Sequence, residues 1–476
     1  MDANSSTRGG KINSLNAWAF SFACAIGWAA YVMPATVFLP LGGIPGSMLA
    51  FLTAAAVMSV IALNYHFLGN LYPENGGIYA LVNRSISRPH AFAAAWSMGL
   101  AHLCCIPLNA RAMGMLIRTI LEEAFNIDFD VRFLGSETLL VEAVIVVLAL
   151  ILFGFINTRG IRKSAIVQTV GALLLLGGVV IILIASALNV RDWDGVFTPS
   201  YLPGTNASQA FMTIFILTPW AFVGFDSLSK VTSEVNFPLK KLGRIMVISV
   251  LCGAFAYVAN ILITLFSVPE GVAGWPEYLK QIRNRPGVAG YPVALAARGA
   301  MGRAGTVIFF VSCLSATLTG LVGFFASISR LVCQIAANGF LSPVFAELHP
   351  RYKTPSKAIW LVVVLALLLS LLRSAFDFIE QLASVATAVG YGYCSIAALR
   401  CAVRRRSWPY ICTGGVGLAA CLFWTFFLLV PVKGFSSAIT KEAMICVVGW
   451  VFMGITFYVV STRPKNGDIL SDTKGG

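Results

Sequence analysis

Two charged side chains lie within long apolar stretches of the chain, where an ionised group is costly and usually has a function. We expect Asp226 to be the only acid buried in a membrane span, although Lys230, one turn later, could form a structural ion pair with it. Arg111 could offer a planar guanidinium to a substrate carboxylate. It could equally pair with an acid elsewhere or reach the outer interface, so both interpretations stay open.

Histidine and cysteine are the other side chains with chemistry to offer. His66 and His102 could relay protons, but each stands alone on an apolar stretch, which favours hydrogen-bonded packing. The eleven cysteines fall in spans or beside the cytoplasmic face and lack metal-ligand spacing. We therefore predict neither a disulfide framework nor a bound metal or other cofactor.

Two helices are predicted to break inside the bilayer. One lies near the start of the chain and contains Gly27 and Pro34; the other lies near the middle and contains Pro219 and Gly224. A break frees backbone N–H and C=O groups that lipid cannot satisfy, so it survives where these groups line a cavity. Matching breaks in two halves of a sequence indicate the binding site of an inverted-repeat transporter. The alternative is a pair of proline kinks in an ordinary helical bundle.

The composition is that of an integral membrane protein and excludes a soluble globular one. Of the 476 residues, 58% are hydrophobic and 11% are charged, and the mean hydropathy is +0.82. Apolar runs long enough to cross a bilayer predict twelve spans. They cover residues 14–38, 46–68, 91–117, 138–156, 164–189, 208–229, 245–268, 304–329, 358–372, 381–399, 408–432 and 443–461.

The distribution of charge predicts the orientation in the membrane. When both termini are placed in the cytoplasm, Lys and Arg concentrate in the cytoplasmic loops, and most Asp and Glu lie outside. We therefore predict a multi-pass protein of the cell inner (cytoplasmic) membrane with cytoplasmic termini. The net charge of +14 fits contact with anionic lipid. The basic residues form no contiguous face, so no nucleic-acid partner is expected.

The predicted spans fall into two blocks of five and a final pair, and a broken helix opens each block. The organisation is a cytoplasmic tail 1–13, a first repeat 14–189, a second repeat 208–399, a pair of spans 408–461 and a cytoplasmic tail 462–476. The final pair offers no obvious site residues. It is expected to act as scaffold or as the contact of a homodimer.

Five segments carry family motifs in register. They are IGWAAYVMPA (26–35), LNYHFLGNLYPENGGIYALV (63–82), NTRGIRKSAIVQ (157–168), PWAFVGFDSLSKVTSEVNFPLKKLGR (219–244) and SRLVCQIAANGFLSPVFAELHPRYKTP (329–355). Together they resemble the motifs of the amino acid–polyamine–organocation (APC) superfamily of permeases. The run W-A-F-x-G-F-D is most similar to bacterial amino acid permeases and amino acid–amine exchangers.

This resemblance implies both a fold and a function. The fold would be all-α, with twelve transmembrane helices: a five-plus-five inverted repeat with broken helices 1 and 6, plus two extra helices. The function would be secondary active transport of an amino acid or related amine by alternating access, through coupling to H⁺ or Na⁺ or by exchange. The alternative is a non-transporting receptor or a membrane-embedded enzyme acting on a small amine or acid. Against an enzyme, the chain has no H-E-x-x-H or G-x-S-x-G motif.

The resemblance also implies a substrate site between the two breaks. Backbone groups of the first break would bind the substrate carboxylate, and helices three, six, eight and ten would surround the rest. The matching residues are Ile26, Gly27, Trp28, Ala29, Asn109, Trp220, Ala221, Phe222, Gly224, Phe324 and Tyr391. Trp28 and Ala29 replace the usual Ser and Gly, which changes the expected substrate size. Trp220 matches a gating position, and Asp226 matches an acid linked to gating and proton sensitivity.

The resemblance leaves the coupling ion open. Proton-coupled members carry a lysine on the fifth helix, and the matching position here lies near the apolar Leu175. The hydroxyls of Ser312, Ser315, Thr317 and Thr319 could bind Na⁺. Because Ser and Thr are common in membrane helices, structural hydrogen bonding is the favoured interpretation of these hydroxyls.

Overall fold

The structure is a computed structural model, and most of the chain is described. The described residues are 12–73, 77–127, 129, 131–133, 139–282, 285, 287–371, 376–432 and 439–462. They form helices and no β-strand. The predictions for the two tails, and for residues 74–76 of the second motif, fall almost wholly outside these ranges.

Helices follow one another along the chain with short connections. The first are α1 (Ser14–Ala25), α2 (Ala29–Met33), a π-helical turn (Pro34–Phe38), α3 (Leu39–Leu71), α4 (Gly77–Ser85), α5 (Arg88–Phe125), α6 (Leu140–Thr158), α7 (Ile161–Leu188) and α8 (Trp193–Val196). The middle ones are α9 (Ala207–Ala221), 3₁₀ segments at Phe225–Lys230, Thr232–Glu234 and Leu239–Lys241, α10 (Leu242–Phe266), α11 (Trp275–Ile282) and α12 (Pro292–Ala337). The last are α13 (Ser356–Leu371), α14 (Phe376–Arg404), α15 (Trp408–Leu429) and α16 (Lys441–Thr462).

Ten helical stretches of the described chain are long and apolar enough to cross a membrane, where the sequence predicted twelve spans. The first predicted span is divided: α1 has 12 residues, about 18 Å of helix, and is too short to cross alone. The rest of that run joins the second span in one stretch, Ala29–Leu71, which bends at Gly43. The ninth predicted span is α13, with 16 residues.

Both predicted breaks stand at glycine and neither stands at proline. α1 ends at Ala25, Ile26 is extended, and α2 starts after Gly27. α9 ends at Ala221, and Gly224 has a φ of 115°. The expected break at Pro34 is wrong, because Pro34 opens the π-helical turn that continues the helix.

Pro219 also lies inside a continuous helix, and a specific contact explains why. Proline lacks the N–H that the carbonyl four residues earlier would accept. That carbonyl, on Phe215, instead accepts hydrogen bonds from Thr218 Oγ1 at 2.7 Å and Trp424 Nε1 at 2.9 Å. The helix therefore continues past the proline and breaks at residues 222–224.

Small residues allow the long helices to pack closely. α7 lies against α12, where Gly171 faces Thr319 and Gly178 faces Ser312. A methyl group at either glycine would overlap these side chains. α5 packs against both α12 and α14, so α5, α7, α12 and α14 form one scaffold beside the broken helices.

Candidate functional site

The two breaks meet at Gly224. A Cβ atom at this position would lie 2.7 Å from the carbonyl oxygen of Cys24 at the end of α1. Glycine is required here for two reasons: a side chain would overlap Cys24, and the positive φ disfavours other residues. The sequence therefore folds so that the end of α1 and the turn after α9 are in contact.

A small cavity of about 30 Å³ lies beside both breaks, with room for roughly two water molecules. Its walls come from α1, α2, α5, α9, α10 and α12. The lining residues are Cys24, Ala25, Gly27, Trp28, Ala29, Cys105, Leu108, Asn109, Trp220, Ala221, Val223, Tyr257 and Phe324. We call this cavity the central pocket.

The central pocket unites much of the predicted substrate site. The predicted residues that line it are Gly27, Trp28, Ala29, Asn109, Trp220, Ala221 and Phe324. The sequence-based prediction did not include Cys24, Cys105 and Tyr257, which also line the pocket and carry polar side-chain atoms. The two cysteines carried no motif, and only their position beside Gly27 and Asn109 could have suggested them.

Asn109 presents an unsatisfied acceptor at the pocket. Its Nδ2 donates a hydrogen bond to the Cys105 carbonyl at 2.8 Å, whereas its Oδ1 is buried without a hydrogen-bond partner. Oδ1 lies between the first break and α12, since a Cβ atom would lie 3.2 Å from it at Gly27 and 2.8 Å from it at Gly320. A buried acceptor without a partner is costly, and a ligand N–H group could satisfy it.

Two other predicted residues, Ile26 and Phe222, support the pocket from outside its walls, and Arg111 lies apart from it. Ile26 faces Gly253 of α10. The ring of Phe222 packs 6.2 Å from Phe51 and 6.1 Å from Tyr257, measured between centroids. Arg111 is half-buried and is not among the lining residues.

Asp226 is at the centre of a buried network below the pocket. Its Oδ2 lies 2.6 Å from Lys230 Nζ, and its Oδ1 accepts a hydrogen bond from Tyr391 at 3.1 Å. All three residues are buried. Tyr391, predicted to contact substrate, is thus a partner of Asp226 and does not line the pocket.

The structure adds charged partners to one buried side chain discussed from the sequence and contradicts one expectation about buried acids. His102 does not stand alone, because its Nε2 lies 3.4 Å from Asp226 Oδ1 and its Nδ1 lies 3.3 Å from Lys230 Nζ. Asp226 is not the only buried acid in a span, since Glu142 in the first turn of α6 is also buried and binds Arg118 Nε at 2.7 Å. The first case depends on a contact between helices far apart in sequence, and the second on a contact between the consecutive helices α5 and α6.

Other candidate groups have structural hydrogen bonds. His66 lies 3.0 Å from Asn70 Nδ2 and accepts a hydrogen bond from the Gly243 amide at 3.3 Å, as expected for packing. Among the hydroxyls considered for Na⁺, Ser312 donates to the Leu175 carbonyl at 2.9 Å. Thr317 and Thr319 donate to carbonyls of their own helix.

Two further cavities flank the site. One, of about 90 Å³, is lined by Met33, Phe38, Thr218, Trp220, Ala221 and Glu380, among others, so Trp220 and Ala221 border both it and the central pocket. We call it the upper cavity. The other, of about 20 Å³, lies beyond the Asp226 network and is lined by Tyr65, Gly77 and Ser229, among others. We call it the lower cavity.

Comparison with known proteins agrees with this architecture. The sequence profile described as "Amino acid permease" matches residues 12–456. The chain belongs to this family. The permease is therefore a multi-pass membrane transporter, and the APC resemblance and the assignment to transport instead of enzymatic chemistry are confirmed.

Its relatives are distant. The permease is 23% identical to the methylthioribose transporter of Bacillus subtilis (strain 168) over 72% of its own length and 70% of that protein. It is 28% identical to cationic amino acid transporter 4 of Mus musculus over 79% of its length and 57% of that protein. It is 22% identical to a branched-chain amino acid permease of Bacillus subtilis (strain 168) over 92% and 90%.

Proposed function

We propose that this permease carries a neutral amino acid as a zwitterion, bound in the central pocket and exposed alternately to the two sides of the membrane. The observation that carries the proposal is the unpartnered Asn109 Oδ1 beside two helix ends of opposite polarity. A zwitterion could place its carboxylate at the helix end with a positive dipole, and its ammonium group at the other helix end and Asn109 Oδ1.

Backbone polarity supports the zwitterion. The helix that begins at Ala29 has its positive dipole end at the first break, which suits a carboxylate. The last turn of α9 has its negative dipole end at the second break, which suits an ammonium group, although the Trp220 carbonyl already accepts a hydrogen bond from the Val223 amide at 3.2 Å. Asn109 Oδ1 is a further acceptor for the same ammonium group.

The walls of the pocket support a neutral substrate side chain. None of the residues that line the central pocket is an acid or a base, so the charge of an arginine or glutamate side chain would be buried without a partner. Trp28 and Trp220 narrow the available space. One relative is named as a permease of branched-chain amino acids, which are also neutral.

Helix packing supports the two-repeat organisation of residues 14–189 and 208–399. α7 packs on α12, and α5 packs on α14. α5 and α7 are the third and fifth spans of the first block, and α12 and α14 are the third and fifth spans of the second. Each contact therefore joins the third span of one block to the fifth span of the other, as two equivalent repeats would. A short helix also follows the second span of each block, α4 in one and α11 in the other.

Charge and exposure support the remaining parts of the proposal. We retain the inner (cytoplasmic) membrane and cytoplasmic termini, because Lys and Arg concentrate on that side. The pair of spans at 408–461 ends in α16, and only 11% of the most apolar stretch of this helix is buried. This surface suits contact with lipid or with a second copy of the chain.

Counterflow tests the substrate. Purified protein in liposomes loaded with unlabelled L-alanine should take up labelled L-alanine, and glycine or L-leucine should compete better than L-arginine or L-glutamate. Absence of counterflow for every neutral amino acid, or preference for a charged one, would show that the proposed substrate class is wrong. Methylthioribose belongs in the same competition panel.

Asn109→Leu links this transport to the pocket. We expect its half-saturating concentration to rise about tenfold or more, because a hydrogen bond to a charged group is lost. Asn260→Leu is the matched control: Asn260 makes the same bond to the carbonyl four residues earlier, also has a buried Oδ1 without partner, and is not among the lining residues. Equal effects of the two substitutions would contradict the assignment of Asn109.

A further inference from the structure

The distances around His102 determine which ring nitrogen carries the proton. Nδ1 lies 3.3 Å from Lys230 Nζ, and Nε2 lies 3.4 Å from Asp226 Oδ1. An ammonium group only donates hydrogen bonds, so Nδ1 must accept one and is unprotonated. These partners assign the single imidazole proton to Nε2, which lies toward the Asp226 carboxylate without a hydrogen bond to it.

A second proton on His102 does not fit this arrangement. It would sit on Nδ1 and face the Lys230 ammonium group, 3.3 Å away in a buried site. Ser327 Oγ also lies 3.0 Å from Nδ1; it can donate to an unprotonated Nδ1 and accept from a protonated one, so the conflict of a second proton is with the Lys230 ammonium group. Asp226 supplies one negative charge, so a protonated imidazole and the ammonium group compete for it.

We propose that His102 is a proton-binding site of the transport cycle, at which the protonated imidazole replaces the Lys230 ammonium group as the partner of Asp226. The proposal rests on the transport function given above. The ligand is a proton from the aqueous phase, and no other bond is made or broken. Lys230 ends the 3₁₀ segment that follows the break of α9, so loss of its ion pair releases that segment.

Contacts on both sides connect the network to the transport path. The rings of His102 and Phe324 lie 5.5 Å apart, and Phe324 lines the central pocket. On the other side, a Cβ atom at Gly77 would lie 2.7 Å from Lys230 Cγ, and Gly77 lines the lower cavity. Protonation can therefore respond to the substrate and open space below the pocket.

The surroundings leave His102 as the group that can take up the proton. Among the described residues, other titratable side chains near the Asp226–Lys230 pair are Cys24 of α1, Tyr65 of α3, Cys105 of α5, and Tyr391 and Cys394 of α14. Thiols and phenols ordinarily titrate above pH 8, whereas an imidazole titrates between pH 5 and 8.

The first test observes the imidazole without any substrate. The chain has four histidines, so protein labelled with ¹⁵N and ¹³C only in histidine gives few NMR signals in liposomes, and His102→Gln assigns the one of interest. We expect the Nε2–H form at pH 8 and the doubly protonated form at pH 5. In Lys230→Gln, protonation should need at least about tenfold less acid, because the competing cation is gone. Lys241→Gln, which removes an exposed charge, should change nothing.

The second test uses L-alanine in proteoliposomes with an acidic exterior. Wild type should accumulate alanine, and His90→Gln, which changes an exposed histidine, should behave like wild type. His102→Gln should exchange alanine but lose gradient-driven accumulation. A His102 signal that stays neutral to pH 5, one that is unmoved by Lys230→Gln, or proton-driven accumulation by His102→Gln would overturn the proposal. Absence of alanine exchange in wild type would instead count against the proposed substrate, and the NMR result would still decide the proton site.

Discussion

Trp220 and Ala221 border both the upper cavity and the central pocket, and Trp220 is the one of the two whose side chain is large enough to control access between them. We expect Trp220→Ala to raise the half-saturating concentration for L-alanine about tenfold, since the lost aromatic contact contributes on the order of 1 kcal/mol or more. Trp220→Phe should keep most of the affinity. Counterflow measures the affinity, and thermal midpoints check that each variant is folded. A wild-type affinity in Trp220→Ala would show that Trp220 does not act as a gate.

The Asp226–Lys230 pair predicts a strong dependence of each residue on the other. Removing one partner leaves a buried charge unpaired, at a cost of about 3–5 kcal/mol. At pH 8, where His102 is expected to be neutral, Asp226→Asn and Lys230→Met should therefore each lower the thermal midpoint in detergent, and the double substitution should recover most of it. Lys357→Met serves as control, because the Lys357–Glu347 pair is more than half exposed and contributes little. Additive losses in the double substitution would contradict a direct pairing.

At the scale of helices, two adjacent glycines of α7 should differ sharply. Gly178 faces Ser312 of α12 without room for a Cβ atom, whereas a Cβ atom at Gly177 would meet nothing within 4 Å. Gly178→Val should destabilise the protein by about 1–3 kcal/mol through overpacking, and Gly177→Val should have little effect. Thermal unfolding of the two variants tests this. Similar midpoints would show that α7 and α12 do not pack as described.

The position of a helix break was predictable from sequence only in part. Gly27 and Gly224 interrupt apolar runs, and a glycine without side chain allows the close approach of backbones that such a site needs. Pro219 was expected to contribute but does not break α9, because Trp424, some two hundred residues later, satisfies the Phe215 carbonyl. Such a partner cannot be inferred from local sequence.

The same limit applies to the site. Asp226 and Lys230 are four residues apart, and their pairing could be anticipated from that spacing. His102 and Tyr391 reach Asp226 from other helices. Hydrogen-bonded packing was expected for His102, but its charged partners were not, and Tyr391 was expected at the substrate instead of beside Asp226. Motifs identified the residues of the two breaks and Asn109, whereas the contacts of His102 and Tyr391 depend on tertiary packing.

At the scale of the whole molecule, the proposed orientation makes a simple prediction. Green fluorescent protein fused to the end of the chain should fluoresce, because that end is expected in the cytoplasm, where the fused protein can fold. Alkaline phosphatase fused after Gly274, in a loop expected outside, should be active. Phosphatase fused after Arg406 is the control and should be inactive, since Arg404–Arg406 belong to a predicted cytoplasmic loop. The opposite pattern would invert the topology.

The pairing of Asp226 with Lys230 has an electrical consequence. The two charges cancel, so the membrane potential does no work on this network when the empty transporter changes sides. Each uncompensated charge that crosses would contribute about 2.3 kcal/mol per 100 mV. A zwitterion adds no charge, whereas a proton carried with it adds one. An inside-negative potential set with K⁺ and valinomycin should therefore speed the inward movement of the loaded transporter and leave the return of the empty transporter unchanged. A return step that slows with voltage would show that the network carries net charge.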